Sequence, residues 1–474
     1  MTLPPLSPAS DAFMAQLAQT LPPEAFRPES DAYLVEPRRK WQGQGRVVAP
    51  HSVAQVAAVV RACAAAKVGI VPYAGGTGLV GGQVCPDGPV PLVLSVERLN
   101  EIKAVYANEN VIVAGAGVIL ADLQEAAQSA GRLFPLSLAS DGSARIGGLL
   151  GTNAGGINVL RWGNMRALCL GVEVVLPDGQ IWQGMRRLRK DNTGYDLRDL
   201  FIGSEGTLGV ITAATLRMVA EPAQICTAFF AVRSPAAALE LLALAQDMVG
   251  DGVSAFELIH RQGFDFITEA GLPGQMPFSP LPAWAVLIEL GLGRGSDPAE
   301  TLAELFETGM RQGLCDDGVI ASSQAQRAAF WNLRETIPEG NRRIGAIASH
   351  DISLPLSHIA EFIDKAPELI APLGPLRINC FGHLGDGNLH YNMFPPQGES
   401  RENYAGIAPQ LSDIVHQLAH DLGGSISAEH GIGRLKRDDL ARFSDPAKMA
   451  MMRAVKQALD PDWIMNPGAV FARD

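Results

Sequence analysis

Along the first half of the chain, the spacing of apolar residues predicts short helices and strands separated by glycine-rich segments. Residues 54–66 repeat valine and alanine at helical spacing, and the run VGIVPYA after them suits a short strand. Further strands are predicted at 92–96 and 111–114, and a further helix at 120–130. The segment GGTGLVGG is too rich in glycine for regular structure, whereas GVEVVLPDGQIW carries the Pro-Asp-Gly signal of a hairpin turn. The 50 glycines of the chain indicate many turns and close backbone approaches.

The pattern changes after about residue 220. Strand-like and helix-like runs alternate from there to about residue 420, beginning with TAFFAVRS, ALELLALAQDMV and AWAVLIEL, and a further helix is predicted at 298–313. This alternation predicts a separate α+β domain. The last fifty residues or so return to glycine-rich loops and then form a helix, which is predicted to end at Asp460 because Pro461 cannot continue it.

The segment 381–392, FGHLGDGNLHYN, places two histidines on either side of a turn signal. Its glycines argue against a helix, and in one straight strand positions seven apart would face opposite sides. Asp386-Gly387 suits a two-residue type I′ turn with positive φ at both residues. That turn would pair His383 directly with His390, with Cβ atoms about 5 Å apart. Two imidazoles so placed could bind one metal ion; the alternative is a hairpin whose histidines only hydrogen-bond or face water.

Composition and charge indicate which binding partners and which cellular compartment to expect. The chain is 47% hydrophobic and 19% charged, with a net charge of −12 and no basic block, so nucleic acid and anionic membranes are not expected as partners. Local arginines still allow a small anionic ligand. The six cysteines are scattered, with no CxxC, and the N-terminus resembles no signal peptide. We expect a cytoplasmic protein without a transmembrane helix, and leave attachment to the inner face of the membrane open.

The first glycine cluster has three nucleotide-binding interpretations. A P-loop is excluded because no lysine follows Gly81 or Gly82. A dinucleotide fingerprint is weak, since Gly115 and Gly117 are followed by Leu120 where a third glycine is needed. The third interpretation is that the freed N–H groups of GGTGLVGG surround a pyrophosphate. A flexible loop without a ligand remains the alternative to it.

Six segments in chain order identify a resemblance: PYAGGTGLVGGQ, IGGLLGTNAGGINVLRWGNMR, RKDNTGYDLRDLFIGSEGTLGVIT, FGHLGDGNLHYN, SISAEHGIGRLKR and LDPDWIMNPG. Together they resemble the FAD-linked D-2-hydroxyacid dehydrogenases, with the D-lactate and D-2-hydroxyglutarate enzymes as the nearest branches. This family belongs to the superfamily of vanillyl-alcohol oxidase and p-cresol methylhydroxylase. The resemblance runs from about residue 38 to the end of the chain.

The resemblance implies an α+β fold in two parts. A FAD-binding domain of the p-cresol methylhydroxylase type is expected from residues 1–220, a substrate or cap domain from 221–420, and a C-terminal segment, 421–474, that returns to the FAD domain. No histidine lies beside Thr77 and Gly78, where some members attach the flavin covalently, so a dissociable FAD is expected.

In this family the first glycine loop receives the FAD pyrophosphate, the second lies near the flavin ring and phosphates, and Gly206, Gly209, Val210 and Ile211 line the adenosine and ribityl side. By resemblance the FAD contacts are Pro72, Ala74, Gly75, Gly76, Thr77, Gly78, Pro135, Ser137, Ser143, Gly147, Gly148, Thr152, Asn153, Gly155, Gly156, Glu205, Gly206, Gly209, Ile211 and Asn466.

The resemblance also assigns the metal site and the base. His383, His390 and Glu429 are the implied ligands of a divalent ion, with zinc favoured and manganese, iron or cobalt also compatible with imidazole and carboxylate. His430 is the implied general base, which would accept the hydroxyl proton of the substrate. His416 and His420, four apart on a predicted helix, form a rival pair, but an exposed helix face is the expectation for them.

Arg334 and Asn392 are the implied substrate contacts besides His430, and a helix-surface ion pair with Glu335 or another neighbour is the alternative for Arg334. Family members that act on the longer diacid usually carry a lysine where this chain has Ser349. D-Lactate is therefore favoured over D-2-hydroxyglutarate, unless Arg342 or Arg343 compensates.

The expected reaction is oxidation of a D-2-hydroxy acid to the 2-oxo acid, with hydride transfer to flavin N5. Two alternatives stay open: non-oxidative FAD chemistry, as in alkylglycerone-phosphate synthase, and a flavin- or metal-binding protein without turnover. A quinone, a cytochrome and an electron-transfer flavoprotein are the candidate electron acceptors, and a homodimer is a candidate assembly.

Overall fold

The structure is a computed structural model that describes residues 3–473, so the outermost residues of the predicted domains 1–220 and 421–474 lie outside it. The chain divides into two compact units. The first contains the chain up to Gly155, then Trp162–Glu221, and the chain from Glu429 onward; the second contains Gly156–Arg161 and Pro222–Ala428. Two short segments thus differ from the predicted division. Residues 156–161 belong to the second unit, where Arg161 donates to the Ser254 hydroxyl, and so do residues 421–428.

A four-stranded sheet opens the first unit. Its strands are β1 (Phe26–Arg27), β2 (Arg46–Val48), β3 (Ile70–Tyr73) and β4 (Leu92–Ser95), in the spatial order β1-β2-β4-β3. Strands β2 and β3 are parallel to β4, and β1 is antiparallel to β2. The helices of this region are α1 (Asp11–Leu17), α2 (Asp31–Leu34) and α3 (Val53–Ala66). The predicted helix is confirmed in α3, where Ser52 caps the N-terminus and Val56, Val59, Val60 and Cys63 form the buried stripe.

A five-stranded antiparallel sheet completes the first unit. Its strands are β5 (Ile102–Tyr106), β6 (Val111–Gly115), β7 (Cys169–Val175), β8 (Ile181–Gly184) and β9 (Val210–Arg217), in the order β5-β6-β9-β7-β8. The associated helices are α4 (Leu120–Ser129), α5 (Ile146–Thr152), α7 (Met165–Leu168) and α8 (Arg198–Phe201), whereas α6 (Val159–Trp162) begins in the second-unit segment 156–161 and ends at Trp162. The second glycine-rich segment begins as helix α5, since Ile146, Leu149 and Leu150 are buried in the core and offset the low helix propensity of glycine.

The second unit is built on a seven-stranded antiparallel sheet. Its strands are β10 (Gln224–Val232), β11 (Val253–His260), β12 (Trp284–Leu292), β13 (Cys315–Ile320), β14 (Ala348–Ser353), β15 (Arg377–His383) and β16 (Asn388–Phe394). Their order is β13-β10-β12-β11-β15-β16-β14.

Helices cover both faces of this sheet. They are α9 (Pro235–Val249), α10 (Arg261–Glu269), α11 (Pro298–Gln312), α12 (Gln324–Ile344), α13 (Ile359–Ile370) and α14 (Ala408–Asp421). Phe230 packs in the core beneath α9, α11, α13 and α14, whereas its neighbour Phe229 packs with Phe264 of α10 and Phe330 of α12. Both alternating sets of side chains are therefore buried, which explains the nearly continuous apolar strands of the sequence.

The C-terminal helices α15 (Arg437–Phe443) and α16 (Pro446–Leu459) belong to the first unit. As predicted, α16 stops before Asp460-Pro461. Buried Lys456 donates to the Asp460 carboxylate and to the carbonyls of Thr207 and Met465, which holds the closing segment against the first unit. Within the described part of the chain, no helix has both the length and the apolar character needed to cross a membrane.

Candidate active site

The histidine hairpin differs in register from the prediction. His390 lies opposite Phe381, so the predicted direct pairing of His383 with His390 is wrong by two residues. The cause is the turn: Leu384–Asp386 form a 3₁₀ turn, and of the pair Asp386-Gly387 only Gly387 has positive φ, at 81°. His383 and His390 are nevertheless diagonal neighbours on one face, and their ring centroids lie 5.7 Å apart. The hairpin thus brings both imidazoles together by a different geometry.

A carboxylate that the sequence analysis missed contacts His383. Glu257 on β11 lies directly across from His383 on β15, and its Oε1 is 2.5 Å from His383 Nδ1. Its other oxygen accepts from Arg334, at 2.8 Å from Nε and 2.7 Å from Nη2. Arg334 is buried and also packs over the Phe381 ring. Arg334 does form an ion pair, but the alternative of a pair on the helix surface is wrong, because Arg334 and Glu257 are both buried.

Glu257 is held ionised by these two partners. Burial by itself raises the pKa of this carboxyl, but the charges and hydrogen bonds of His383 and Arg334 outweigh burial and lower its pKa to about 2. A signal was present in the sequence, because Glu257 is the single charged residue between Val253 and Ile259 in an apolar strand. A buried carboxylate in such a strand needs a partner, but the strand pattern does not say which one.

His390 and Asn392 follow each other on the same face of β16. His390 Nδ1 lies 4.0 Å from Oδ1 of Asp351, its cross-strand partner on β14, which is too long for a hydrogen bond. Asn392 is buried, and its Oδ1 accepts the N–H of His350 at 3.2 Å.

His416 and His420 were predicted to lie on an exposed helix face, and this is wrong for His416. His416 is buried against the His350 ring, with centroids 5.2 Å apart, whereas His420 is exposed. The two side chains thus meet different surroundings.

Within the first unit, the structure brings the predicted cofactor segments together. A Cβ on Gly75 would lie 2.4 Å from the Ser143 carbonyl oxygen, and one on Gly148 would lie 3.1 Å from Ala74 Cβ. A Cβ on Gly206 would lie 2.8 Å from the ring of Pro72. The loop after β3 therefore lies against the start of α5 and the segment before it, and the end of β3 lies against the segment before β9.

Three residues other than glycine in the predicted cofactor segments have positive φ. Asn153, Glu205 and Asn466 have φ of 53°, 52° and 43°, values that residues other than glycine rarely adopt. Asn466 Nδ2 donates to the carbonyls of Gly82 and Glu205 at 2.9 and 2.7 Å. Its Oδ1 is buried and has no hydrogen-bond partner among residues 3–473. A buried acceptor without a donor, close to glycines where a side chain would not fit, is what a site for a bound polar group would show.

The Glu205 side chain anchors the segment after His430. Its two oxygens each accept one backbone N–H, from Ile432 and Gly433, both at 2.7 Å. Burial raises the pKa of Glu205, and these hydrogen bonds oppose that shift. The next two N–H groups, of Arg434 and Leu435, bind the Val80 carbonyl. His430 therefore lies next to a rigidly held loop, and its Nε2 is 3.8 Å from the carboxylate of Glu429.

Gly75→Ala is expected to weaken FAD binding. The added methyl group would press on three backbone atoms, of Ser143, Ala144 and Arg145, at 2.4–3.1 Å. Overpacking of this kind costs about 1–3 kcal/mol, or roughly 5- to 150-fold if the whole cost appears in the affinity for FAD. Flavin fluorescence titration of the apoprotein measures the change. Gly142→Ala is the matched control, because nothing lies within 4 Å of its added Cβ; equal FAD affinity in wild type and Gly75→Ala would contradict the prediction.

Comparison with known sequences places these features in a family. A family of FAD linked oxidases, C-terminal domain, matches residues 221–470, and a FAD binding domain matches residues 45–184. The chain is 37% identical to the D-2-hydroxyglutarate dehydrogenase of Xanthomonas citri pv. viticola, over 91% of this chain and 90% of that one. It is 35% identical to the mitochondrial D-2-hydroxyglutarate dehydrogenase of Bos taurus, over 98% of this chain and 84% of that one.

Solved structures support the fold. p-Cresol methylhydroxylase matches with a TM-score of 0.76 and 17% identity, over 98% of each chain. Alkyldihydroxyacetonephosphate synthase matches with a TM-score of 0.71 and 14% identity, over 98% of this chain and 86% of that one. The predicted α+β fold with a FAD-binding domain of the p-cresol methylhydroxylase type is confirmed. The chain has the fold of p-cresol methylhydroxylase, and it belongs to the FAD-linked D-2-hydroxyacid dehydrogenases.

Proposed function

We propose that this chain oxidises a D-2-hydroxy acid with a short side chain, D-lactate in preference to D-2-hydroxyglutarate, with FAD and a divalent metal ion. The observation that carries the metal is the pair of imidazoles on one face of the β15–β16 hairpin, one of them oriented by a buried carboxylate. When bound, FAD accepts the hydride and the metal ion lowers the pKa of the substrate hydroxyl.

His383 and His390 would supply two metal ligands, and Glu429 the third. Chain connectivity supports the choice of Glu429. The amide of Ala428 hydrogen-bonds to the carbonyl of Asp351 at 3.3 Å, and Asp351 is the cross-strand partner of His390. Glu429 is the next residue, with its Cα about 3.8 Å from that of Ala428. Two imidazoles and one carboxylate suit zinc, and also manganese, iron or cobalt.

The residues that would hold FAD are those of the first unit described above. The loop 72–78 would offer backbone N–H groups to the pyrophosphate, and the segments 143–155 and 205–211, which lie against that part of the chain, would supply further contacts. Asn466 offers its unsatisfied Oδ1 as a polar contact. Thr77 and Gly78 occupy the position where a covalent histidine would be needed, so the proposed attachment is non-covalent.

His430 is proposed as the general base. It would accept the substrate hydroxyl proton on a ring nitrogen, and it would bind the substrate together with Arg334 and Asn392. The Glu205 contacts to Ile432 and Gly433 hold the loop that carries this histidine, which limits the motion of its imidazole.

The preference for a monocarboxylate rests on the arginines of α12. Arg334 donates to Glu257, and Arg342 and Arg343 both pair with Glu339. Each of the three cations is thus already matched by a carboxylate. With Ser349 in place of the lysine usual in diacid-oxidising members, a second substrate carboxylate would lack a dedicated cation.

Anaerobic flavin reduction tests the reaction and the substrate. We expect D-lactate to bleach the flavin with a higher kcat/KM than D-2-hydroxyglutarate, and L-lactate to leave it oxidised. The variant Ser349→Lys should raise kcat/KM for D-2-hydroxyglutarate by about fivefold, since an exposed ion pair contributes up to about 1 kcal/mol, with no gain for D-lactate. A wild-type preference for the diacid would overturn the substrate choice, and no bleaching by any hydroxy acid would overturn the reaction.

The electron acceptor and the location follow as part of the same proposal. A quinone, a cytochrome or an electron-transfer flavoprotein would reoxidise the flavin, and each is tested by adding it to the reduced protein. All six cysteines are free and buried, which suits a reducing, cytoplasmic compartment.

A further inference from the structure

Glu257 is a buried carboxylate that takes no direct part in the proposed reaction. Its side chain is 1% exposed, and that of Arg334 is 7% exposed. Both of its oxygens are occupied: Oε1 by His383 Nδ1, and Oε2 by two nitrogens of Arg334. Taking a carboxylate out of water is unfavourable unless it is paired, so this arrangement persists because all three side chains are satisfied together.

The contact fixes which nitrogen of His383 is available to a ligand. Oε1 of Glu257 lies 2.5 Å from Nδ1 of His383 while Oε2 accepts from Arg334, which is the geometry of an Nδ1–H donor on a carboxylate acceptor. In the neutral imidazole the lone pair is then on Nε2. The same hydrogen bond restricts rotation of the ring, and Arg334 restricts Glu257 in turn. The imidazole is therefore set, in both tautomer and orientation, for a metal ion at Nε2.

A second glutamate–arginine pair also joins the sheet to α12, but it does not contact a histidine. Glu289 on β12 is buried and accepts from Arg327, at 2.8 and 3.0 Å, and from Trp331. Arg327 and Arg334 lie seven residues apart on α12, so they project from the same side of the helix toward neighbouring strands. The two glutamates thus both attach α12 to the sheet, and only Glu257 also reaches a proposed metal ligand.

We propose that Glu257 is a positioning residue for the metal site, which fixes His383 as an Nε2 ligand, and that Arg334 acts through Glu257 by holding it in place. This inference rests on the proposed function, because it requires the bound divalent ion. Arg334 would have this role in addition to the substrate contact that the resemblance implies.

Metal affinity tests the role of Glu257. Zn²⁺ and Mn²⁺ are titrated into chelator-treated, FAD-loaded protein against a chromophoric competitor, and bound metal is counted by elemental analysis. Glu257→Gln should bind the metal about 10–100-fold more weakly than wild type, the usual effect of removing an outer partner of a ligating histidine. FAD content should stay unchanged. The double variant Glu257→Gln/Arg334→Gln removes the buried unpaired guanidinium that could prevent folding of the single variant, and it should show the same loss of affinity.

Glu289→Gln is the matched control, since it breaks the equivalent helix-to-sheet contact and should keep wild-type metal affinity. Wild-type affinity in the Glu257 variants, or an equal loss in Glu289→Gln, would overturn the positioning role while leaving the metal site intact. A wild-type protein that binds neither ion would overturn the metal part of the proposed function itself, and this inference with it.

Discussion

Replacing His430 by glutamine is expected to slow flavin reduction by the hydroxy acid by about 10²–10⁴-fold, the usual contribution of a general base. Glutamine has a similar size and can still hydrogen-bond, but it cannot accept a proton at neutral pH. The loop should keep its position, because Glu205 binds the backbone amides of Ile432 and Gly433 and not the histidine side chain. FAD content should therefore be unchanged, and the loss should appear in the rate constant more than in substrate affinity.

Anaerobic stopped-flow mixing with D-lactate and D-2-hydroxyglutarate measures this rate constant directly. His420→Gln serves as the control, since that histidine is exposed on α14 and should have no effect. If His430→Gln reduces its flavin at the wild-type rate with either acid, His430 is not the base. If it loses FAD as well, the residue supports the cofactor site and the kinetic assignment fails.

Replacing His390 by alanine is expected to remove the metal ion and, with it, turnover. The change deletes one of three proposed ligands, so the loss of metal affinity should exceed the roughly 10–100-fold typical of an outer partner. The fold should tolerate it, because the β15–β16 and β14–β16 pairings use the backbone of His390. Chelator-treated wild type should lose activity and regain it on addition of Zn²⁺, Mn²⁺ or Co²⁺, whereas His390→Ala should not recover at the same concentrations.

Elemental analysis and flavin reduction are measured on the same samples. His358→Ala is the control, because His358 is a half-exposed histidine that pairs with Glu361 on the surface. Full activity in metal-free wild type would contradict the role of the ion. Normal metal content in His390→Ala would contradict the assignment of His390 as a ligand. Either outcome can occur without the other, so the two claims are tested independently.

The spacing of apolar residues was sufficient to predict most of the helices and strands. The helix at 54–66 appears as Val53–Ala66, the strand at 111–114 as Val111–Gly115, and the helix at 298–313 as Pro298–Gln312. These elements bury a stripe or a face of their own sequence, so their period is visible in the chain. The glycine-rich start of α5 was missed because its helix depends on burial of three apolar side chains in the core of the first unit.

In the histidine hairpin, the local sequence predicted the turn but not the register of the two strands. Asp386-Gly387 correctly marked a reversal of the chain, but not the length of the turn, and so the register was wrong by two residues. Side chains on one face of a sheet repeat every two residues, so a shift of two keeps His383 and His390 on the same face. A shift of one residue would have separated them.

The sequence by itself determined the order and type of most elements, the family, and the identity of the residues proposed to bind the cofactor and the metal. These properties reside in local periodicity and in short motifs. Only the tertiary structure decided the partners that hold those residues. Glu257 meets His383 across 126 positions, and Glu205 meets Ile432 across 227. The physical reason is that a buried carboxylate requires a donor but does not encode which distant strand or loop provides it; packing of the whole unit makes that choice.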